Sequence, residues 1–256
     1  MKPKAIFFDL DGTLYINGQI PKSAVDALKY AKSKGVLLFI ATGRTKKDAI
    51  RLTQLPGIIF DGYVCMNGGY CFVDSEVIFK NPIHKDDVRF AVEYTRNSPY
   101  SCMFCEAEDV YVNIFDDKAK EVNARLFLPT PPICDPICAL DTDIYQLVVW
   151  GDELKMAFNE NMKHVLFTTW GDGCYDVIPA DINKWEGILH MLSRFGLKPE
   201  EIATIGDGDN DLEMIEKAGF SVAMDNGKEM VKKAAKYVTG AADDDGILQA
   251  VEYILG

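Results

Sequence analysis

At 256 residues the chain can hold one large or two medium domains and bury a substantial core. Apolar residues at 48% and charged residues at 26% suit a globular protein in water. A net charge of -12 argues against a binder of nucleic-acid backbone or of an anionic membrane surface, either of which needs a basic face. A small anionic ligand stays compatible, because a metal and a few local donors can invert the sign inside one pocket.

Met1-Lys2-Pro3-Lys4 leads straight into a short apolar run, so no signal peptide is expected, and no run nears the roughly 18 apolar residues of a spanning helix. Seven cysteines, an odd number in apolar contexts, fit reduced thiols and a cytoplasmic setting better than a disulfide framework.

The first strand, Ala5-Ile6-Phe7-Phe8, delivers Asp9-Leu10-Asp11-Gly12-Thr13. In extended chain, residues two apart share a side, so Asp9 and Asp11 can face one cavity. Ala24, Val25, Leu28 and Ala31 recur at helical spacing after Pro21, and Gly35 stops that helix. Val36 to Ala41 reads as a strand buried on both faces, ending in Thr42-Gly43-Arg44, with a helix over Lys46 to Gln54. Gly62 to Met66 and Tyr70 to Val73 flank Asn67-Gly68-Gly69, a hairpin signal.

After Asn81-Pro82 the order changes. Helices are expected over Val88–Arg96, Lys118–Leu126 and Leu154–Asn161. Strands are expected over Cys102–Glu106, Val110–Ile114, Ile144–Trp150 and Val165–Trp170. This grouping predicts an antiparallel α+β module inserted in a parallel one. The parallel pattern resumes with a helix over Lys184–Phe195, carrying Ile188, Leu189, Leu192 and Phe195 on one face. Strand Ile202–Ile205 then ends in Gly206-Asp207-Gly208-Asp209-Asn210-Asp211. A helix, strand Ser221–Met224, a further helix and a last helix over Ile247–Leu255 complete the chain.

The fold class expected is therefore α/β: a Rossmann-like parallel-sheet core from 1–81 and 180–256, with an inserted α+β cap domain over 82–179. If the three strands that end in Asp9/Asp11, Thr42-Gly43 and Asp207/Asp211 are parallel neighbours, their tips converge on one sheet edge. Clustered carboxylates make a hard-oxygen site suited to Mg²⁺. Thr42-Gly43 offers backbone N–H groups for phosphate oxygens, and Lys184 supplies one cation. An EF-hand reading of Asp207-x-Asp209-x-Asp211 fails, since Leu212 and Ala218 occupy the positions that need Gly and Glu. Cys102 and Cys105 lie on opposite sides of a strand and Cys134 and Cys138 flank Pro136, which argues against a four-ligand zinc site.

With those residues in order, the chain resembles the haloacid dehalogenase superfamily over essentially its whole length, specifically Cof-type phosphatases with a large type II α/β cap. Asp9-x-Asp11-Gly-Thr, Thr42-Gly43, Lys184 and Gly206-Asp207-Gly208-Asp209-Asn210-Asp211 match its four motifs. The resemblance implies a phosphomonoesterase acting on small phosphorylated metabolites such as sugar phosphates. Asp9 would be the nucleophile that forms an aspartyl-phosphate, and Asp11 the general acid and base. Mg²⁺ would sit on Asp9, the Asp11 backbone carbonyl and Asp207. Thr42, the backbone of Leu10 and Gly43, Lys184 and Asn210 would hold the phosphoryl group. Asp211 would orient Lys184 or a metal-bound water.

Other roles stay open. Arg44 is either a surface ion pair or a substrate contact, and Asn67 either turn chemistry or a substrate contact. Asp209 is read as solvent-facing. Trp185 and Glu186 replace a Gly that the family often has. His84, His164 and His190 stand apart from the motifs. A phosphomutase of the same fold is the enzymatic alternative, and a phospho-aspartate signalling module the non-enzymatic one. The expected partner is a small phosphate ester, with no nucleic acid and no membrane; nothing in the chain sets the oligomeric state.

Overall fold

The computed structural model describes all residues except Met1, Leu126, Phe127 and Asp172. The chain divides into two compact units, one of 1–79 with 183–256 and the other of 80–182.

The first unit is built on a sheet of eight strands, and its order explains where a site can form. Strands β1 (Ala5–Phe8), β2 (Leu37–Ala41), β3 (Gly62–Cys65), β4 (Tyr70–Val73) and β5 (Glu76–Lys80) run outward on one side. On the other side of β1 lie β11 (Ile202–Gly206), β12 (Phe220–Ala223) and β13 (Tyr237–Val238). β1 pairs in parallel with both β2 and β11, and Phe8 is level with Ile40 and Ile205. The order thus reverses at β1, the switch point where open parallel sheets leave a crevice beyond their carboxyl ends.

Alternation along β1 and β2 divides the core. Ala5, Phe7, Phe39 and Ala41 pack with Trp185, Ile188, Met191 and Leu192 of helix α6 (Lys184–Phe195) and with Met214 and Ile215 of α7 (Leu212–Lys217). Phe7 and Phe39 stack at 4.5 Å between ring centroids. The buried face of α6 differs from the expected one. Leu189 is 36% exposed, while Trp185 and Met191 are buried, because the apolar stripe falls at 185, 188, 191 and 192. Helix α1 (Lys22–Ser33) buries Ala24, Ala27, Leu28 and Ala31 and packs against α9 (Gly246–Leu255). Helices α2 (Lys46–Leu52) and α8 (Glu229–Ala234) are short.

The second unit carries an antiparallel sheet in the order β7 (Val110–Val112), β6 (Cys102–Cys105), β8 (Gln146–Trp150), β10 (Cys174–Pro179), β9 (Val165–Gly171). Cys102, Phe104, Leu147, Val149 and Val177 share a core with residues of α3 (Lys85–Thr95) and α5 (Asp152–Asn161). Helix α4 spans Asp117–Arg125, and the expected last residue of that helix, Leu126, lies outside the described residues. Among the described residues no helix is long and apolar enough to cross a membrane, and all seven cysteines are free thiols.

Candidate active site

The parallel register brings the three polar strand ends together within the first unit. Asp9 follows β1 directly and its backbone N–H donates to Ile205 of β11 at 2.9 Å. Thr42 follows β2 and donates its backbone N–H to Val64 of β3 at 2.8 Å. Asp207 follows β11. Lys184, the first residue of α6, reaches this edge because Asn183 caps the helix, its side chain accepting from the Glu186 N–H.

Lys184 is the hub. Its Nζ donates to Asp9 Oδ1 at 2.6 Å and to Asp211 Oδ1 at 2.5 Å, and its side chain is fully buried. Asp211 is equally buried, and its second oxygen accepts the N–H groups of Asp207 (2.8 Å) and Gly208 (2.9 Å). Both oxygens of Asp211 are therefore committed, and Asp211 braces Lys184 while shaping the loop that carries Asp207. Asp207 accepts from the Thr13 hydroxyl at 2.7 Å through one oxygen. Against its other oxygen lies Gly12, at φ +80, where a Cβ would overlap the carboxylate. The loop after β1 needs glycine there for both reasons.

Carboxylate oxygens of Asp9, Asp207 and Asp211 lie within 4.8 Å of one another, a set that could hold a metal ion. Three carboxylates face one ammonium, and the imbalance shows in their acidity. Burial pushes Asp9 well above the ordinary carboxylate range; Lys184 opposes that rise, and Asp211 and Asp207 add to it. Asp207 is raised to about 7, by burial first and then by Asp211, with Thr13 pulling the other way. Burial alone would lower Lys184, but Asp211 and Asp9 outweigh it and hold its pKa above the usual lysine value. The donor set is hard oxygen, and the carboxylate oxygens of Asp9 and Asp207 keep lone pairs beyond the bonds just described, the Lys184-bound oxygen of Asp9 included. Such a set fits a small divalent cation, which would relieve the repulsion that now raises both acids.

Asp11 stands apart from this cluster. Its side chain is 51% exposed and is gripped from one end by Arg44, whose Nε donates to Oδ2 at 2.7 Å and whose NH2 donates to Oδ1 at 2.5 Å. Arg44 also lies over the Tyr15 ring, and its backbone N–H donates to the Thr42 hydroxyl oxygen at 3.1 Å. That bond leaves the Thr42 proton to be donated elsewhere. Asn210 donates to Asn67 at 2.8 Å, and Asp209 is half-buried rather than open to solvent.

A family model for haloacid dehalogenase-like hydrolases matches residues 6–251. The chain belongs to the haloacid dehalogenase-like hydrolases. Among solved structures, the subclass IIB sugar phosphatase BT4131 is similar at 33% identity and a TM-score of 0.86, with 98% of each chain covered. Among curated relatives, the 5-amino-6-(5-phospho-D-ribitylamino)uracil phosphatase YbjI of Escherichia coli is 26% identical, covering 100% of this chain and 97% of YbjI. Phosphoglycolate phosphatase of Methanosarcina acetivorans is 29% identical, covering 99% and 97%. Some relatives are longer: the chain spans 54% of one from Streptococcus pyogenes at 31% identity.

For this hydrolase the expected site residues divide by place. Asp9, Lys184, Asp207 and Asp211 form one bonded cluster, Thr42 and Arg44 link through the backbone, and Asp11 pairs with Arg44. Leu10 is buried, its carbonyl accepting the Thr13 and Tyr15 N–H groups, and Gly43 follows Thr42 at the strand end. Two supports went unread in the sequence. Thr13 stands inside the first motif, and only the fold turns its hydroxyl onto Asp207. Asn226 donates to the Gly12 carbonyl at 2.8 Å and accepts from the Ala242 N–H at 2.8 Å, tying the loop after β1 to the C-terminal part of the chain. A turn-forming Asn-Gly after β12 was its only local signal.

Proposed function

We propose that the chain is a Mg²⁺-dependent phosphatase that hydrolyses small phosphorylated metabolites, sugar phosphates foremost, through an aspartyl-phosphate. The observation that carries this reading is the buried Asp9–Lys184–Asp211 relay with Asp207 beside it. One carboxylate is held by a fixed ammonium at a strand end, in a site with surplus negative charge. The phosphatase names of YbjI and BT4131 support the same class, and both describe phosphates on sugar or sugar-alcohol frames.

The residues divide the work. Asp9 is the nucleophile: Lys184 holds one oxygen, which leaves the other to attack phosphorus in line as the P–O bond to the leaving group breaks. Asp11 protonates the departing alkoxide and then removes a proton from the water that cleaves the acyl phosphate. It must leave the Arg44 fork to do so, and the guanidinium stands ready to receive it again. Thr42, the N–H groups of Leu10 and Gly43, Lys184 and Asn210 hold the phosphoryl oxygens, so that the charge developing on them meets fixed donors. Asp9, the Asp11 carbonyl and Asp207 would hold a magnesium ion, which when bound would supply charge neutralisation between two anions. Substrate selection is assigned to the inserted unit, and a cytoplasmic setting goes with its free thiols.

The test is phosphate release from p-nitrophenyl phosphate and from hexose, pentose and triose phosphates, with Mg²⁺ or EDTA, wild type beside Asp9→Asn. Mg²⁺-dependent turnover lost in the variant supports the reading. A folded, Mg²⁺-binding protein that hydrolyses none of these overturns it; isomerisation of a hexose phosphate under bisphosphate activation would then identify a mutase.

A further inference from the structure

Between β3 and β4 the chain does something costly. A four-residue connection joins Cys65 to its partner Tyr70, and three of its residues in a row have positive φ: Met66 at +50, Asn67 at +53 and Gly68 at +102. Side-chain-bearing residues adopt that conformation only where the surroundings over-determine it, and such places gather at functional sites. Here the surroundings are the site loops themselves. Met66 donates its backbone N–H to the Arg44 carbonyl and Asn67 donates to the Thr42 carbonyl, each at 3.0 Å. Gly68 packs so closely on the Asn183 carbonyl, one residue before Lys184, that a Cβ would overlap it. The Asn67 side chain, 1% exposed, accepts from Asn210 Nδ2 at 2.8 Å. One short loop thus touches the Thr42 segment, the start of α6 and the loop that carries Asp207 and Asn210.

We infer that Asn67 is a positioning residue, which aims Asn210 at the phosphoryl group rather than touching the substrate itself. The inference rests on the phosphatase reading for the identity of that group. An asparagine amide presents two hydrogens on one side and an acceptor oxygen on the other. An unrestrained Asn210 could rotate and turn its oxygen toward an anionic phosphoryl group, which repels it. Asn67 offers an oxygen to Asn210, so the Asn210 nitrogen faces it, and the second hydrogen is held in a fixed direction. Because Asn67 is tied by its own N–H to Thr42, the same residue keeps two phosphoryl-holding loops at one spacing. A one-ångström misplacement of such donors is enough to slow a positioned reaction. The left-handed backbone also explains the residue type, since asparagine tolerates it better than other polar side chains.

The test is a double-mutant cycle. Wild type, N67G, N210A and N67G/N210A are assayed with Mg²⁺ on p-nitrophenyl phosphate and on a hexose phosphate, with thermal midpoints for each protein. Glycine is at ease at φ +53, so N67G keeps the loop and removes only the amide. With Asn210 misaimed, its hydrogen bond to the charged phosphoryl group is lost, which predicts that N67G lowers kcat about tenfold on both esters. The double variant is expected within about twofold of N210A alone, because the two residues act as one unit. A multiplicative loss in the double variant overturns the inference. So does a loss confined to KM for one ester, which marks a substrate contact, or failure of both N67G and N67A to fold, which marks a purely structural role. If the wild type hydrolyses no ester, the phosphatase reading fails instead. Calorimetry with inorganic phosphate then reads the pair separately: N67G weakening phosphate in the wild-type background but not in N210A supports the pairing, and equal weakening in both overturns it.

Discussion

The two units bury polar groups in opposite ways. In the first, Asp9, Lys184 and Asp211 are charged, nearly inaccessible, and balanced only partly by one another. In the second, Asp87 is 3% exposed but accepts the backbone N–H groups of Lys163 (3.0 Å) and His164 (2.9 Å), with the His164 ring at 3.0 Å. Asn113 in that unit accepts from Cys102 N–H and donates to the carbonyls of Thr95 and Tyr100. Those groups bond mainly to neutral backbone of their own unit, for Asp87 across 76 positions of chain, whereas the first unit sets the charged side chains of Asp9, Lys184 and Asp211 against one another. A buried polar group whose partners are neutral backbone groups serves the fold. Buried charges that repel one another need a further ligand to be comfortable, and they mark the site.

The comparison can be pressed hardest at Asp9. Asp9→Asn still accepts from Lys184 and removes one of three crowded carboxylates, so the melting temperature should hold or rise. Loss of the nucleophile should lower kcat by about 10⁴-fold or more. Phosphate release together with a thermal melt checks both, and a variant that merely unfolds would remove the distinction between the units.

Lys184→Met comes next. It strands Asp9 and Asp211 without a counter-charge, and breaking a buried pair from one side costs about 3–5 kcal/mol. Urea unfolding at neutral pH measures it, and a cost under about 1 kcal/mol, the level of an exposed pair, would show the cluster to be better solvated than its burial implies.

Acidity gives a third test. Asp9 and Asp207 are raised in the fold, so between their unfolded value of 3.8 and about 7 for Asp207 the folded metal-free state binds more protons than the unfolded one. Stability must then fall as pH rises through that window, by an amount on the order of a few kcal/mol. Lys184, shifted upward, stays protonated throughout and adds no slope there. Thermal melts in EDTA should therefore drop from about pH 4 to about pH 7, and Mg²⁺ should restore more at the upper end of that range than at the lower. A flat profile in EDTA would mean that the carboxylates do not repel.

The smallest effect belongs to the second unit. Asp87→Asn leaves one acceptor oxygen in place of two, which should cost about 1–2 kcal/mol in urea unfolding. Turnover of p-nitrophenyl phosphate should stay within about twofold of wild type, since a single surviving acceptor still closes the segment. A tenfold loss of kcat would give Asp87 a part in function beyond its backbone bonds.

How far the chain could be read in advance follows from the reach of each signal. Apolar runs ending in Asp9, Thr42 and Asp207 were visible because parallel strands buried on both faces are near-continuously apolar until they stop, Thr204 being a buried exception whose hydroxyl donates to the Met214 carbonyl. The inserted antiparallel order showed in the switch of spacing after Asn81-Pro82. Strand β5 and strand β10 went unread as elements of their own: Glu76–Lys80 is short and mixed in polarity, and Cys174–Pro179 follows too closely on β9 to stand out. Leu189 was placed on the wrong side of α6 because a helix stripe read from a few positions can be rotated by one residue at little cost to its pattern.

By itself the amino-acid sequence determined the parallel-sheet class, the family motifs and the carboxylates that follow β1 and β11. All of these are local, written in patterns a few residues long. Only the tertiary structure decided which groups meet: that Asp211 spends both oxygens on Lys184 and its own loop, that Arg44 grips Asp11, that Thr13 and Asn226 brace the loop after β1, and that Asn67 faces Asn210. The physical reason is that hydrogen bonds and ion pairs act over about 3 Å, between residues far apart in the chain, and no local pattern records their partners.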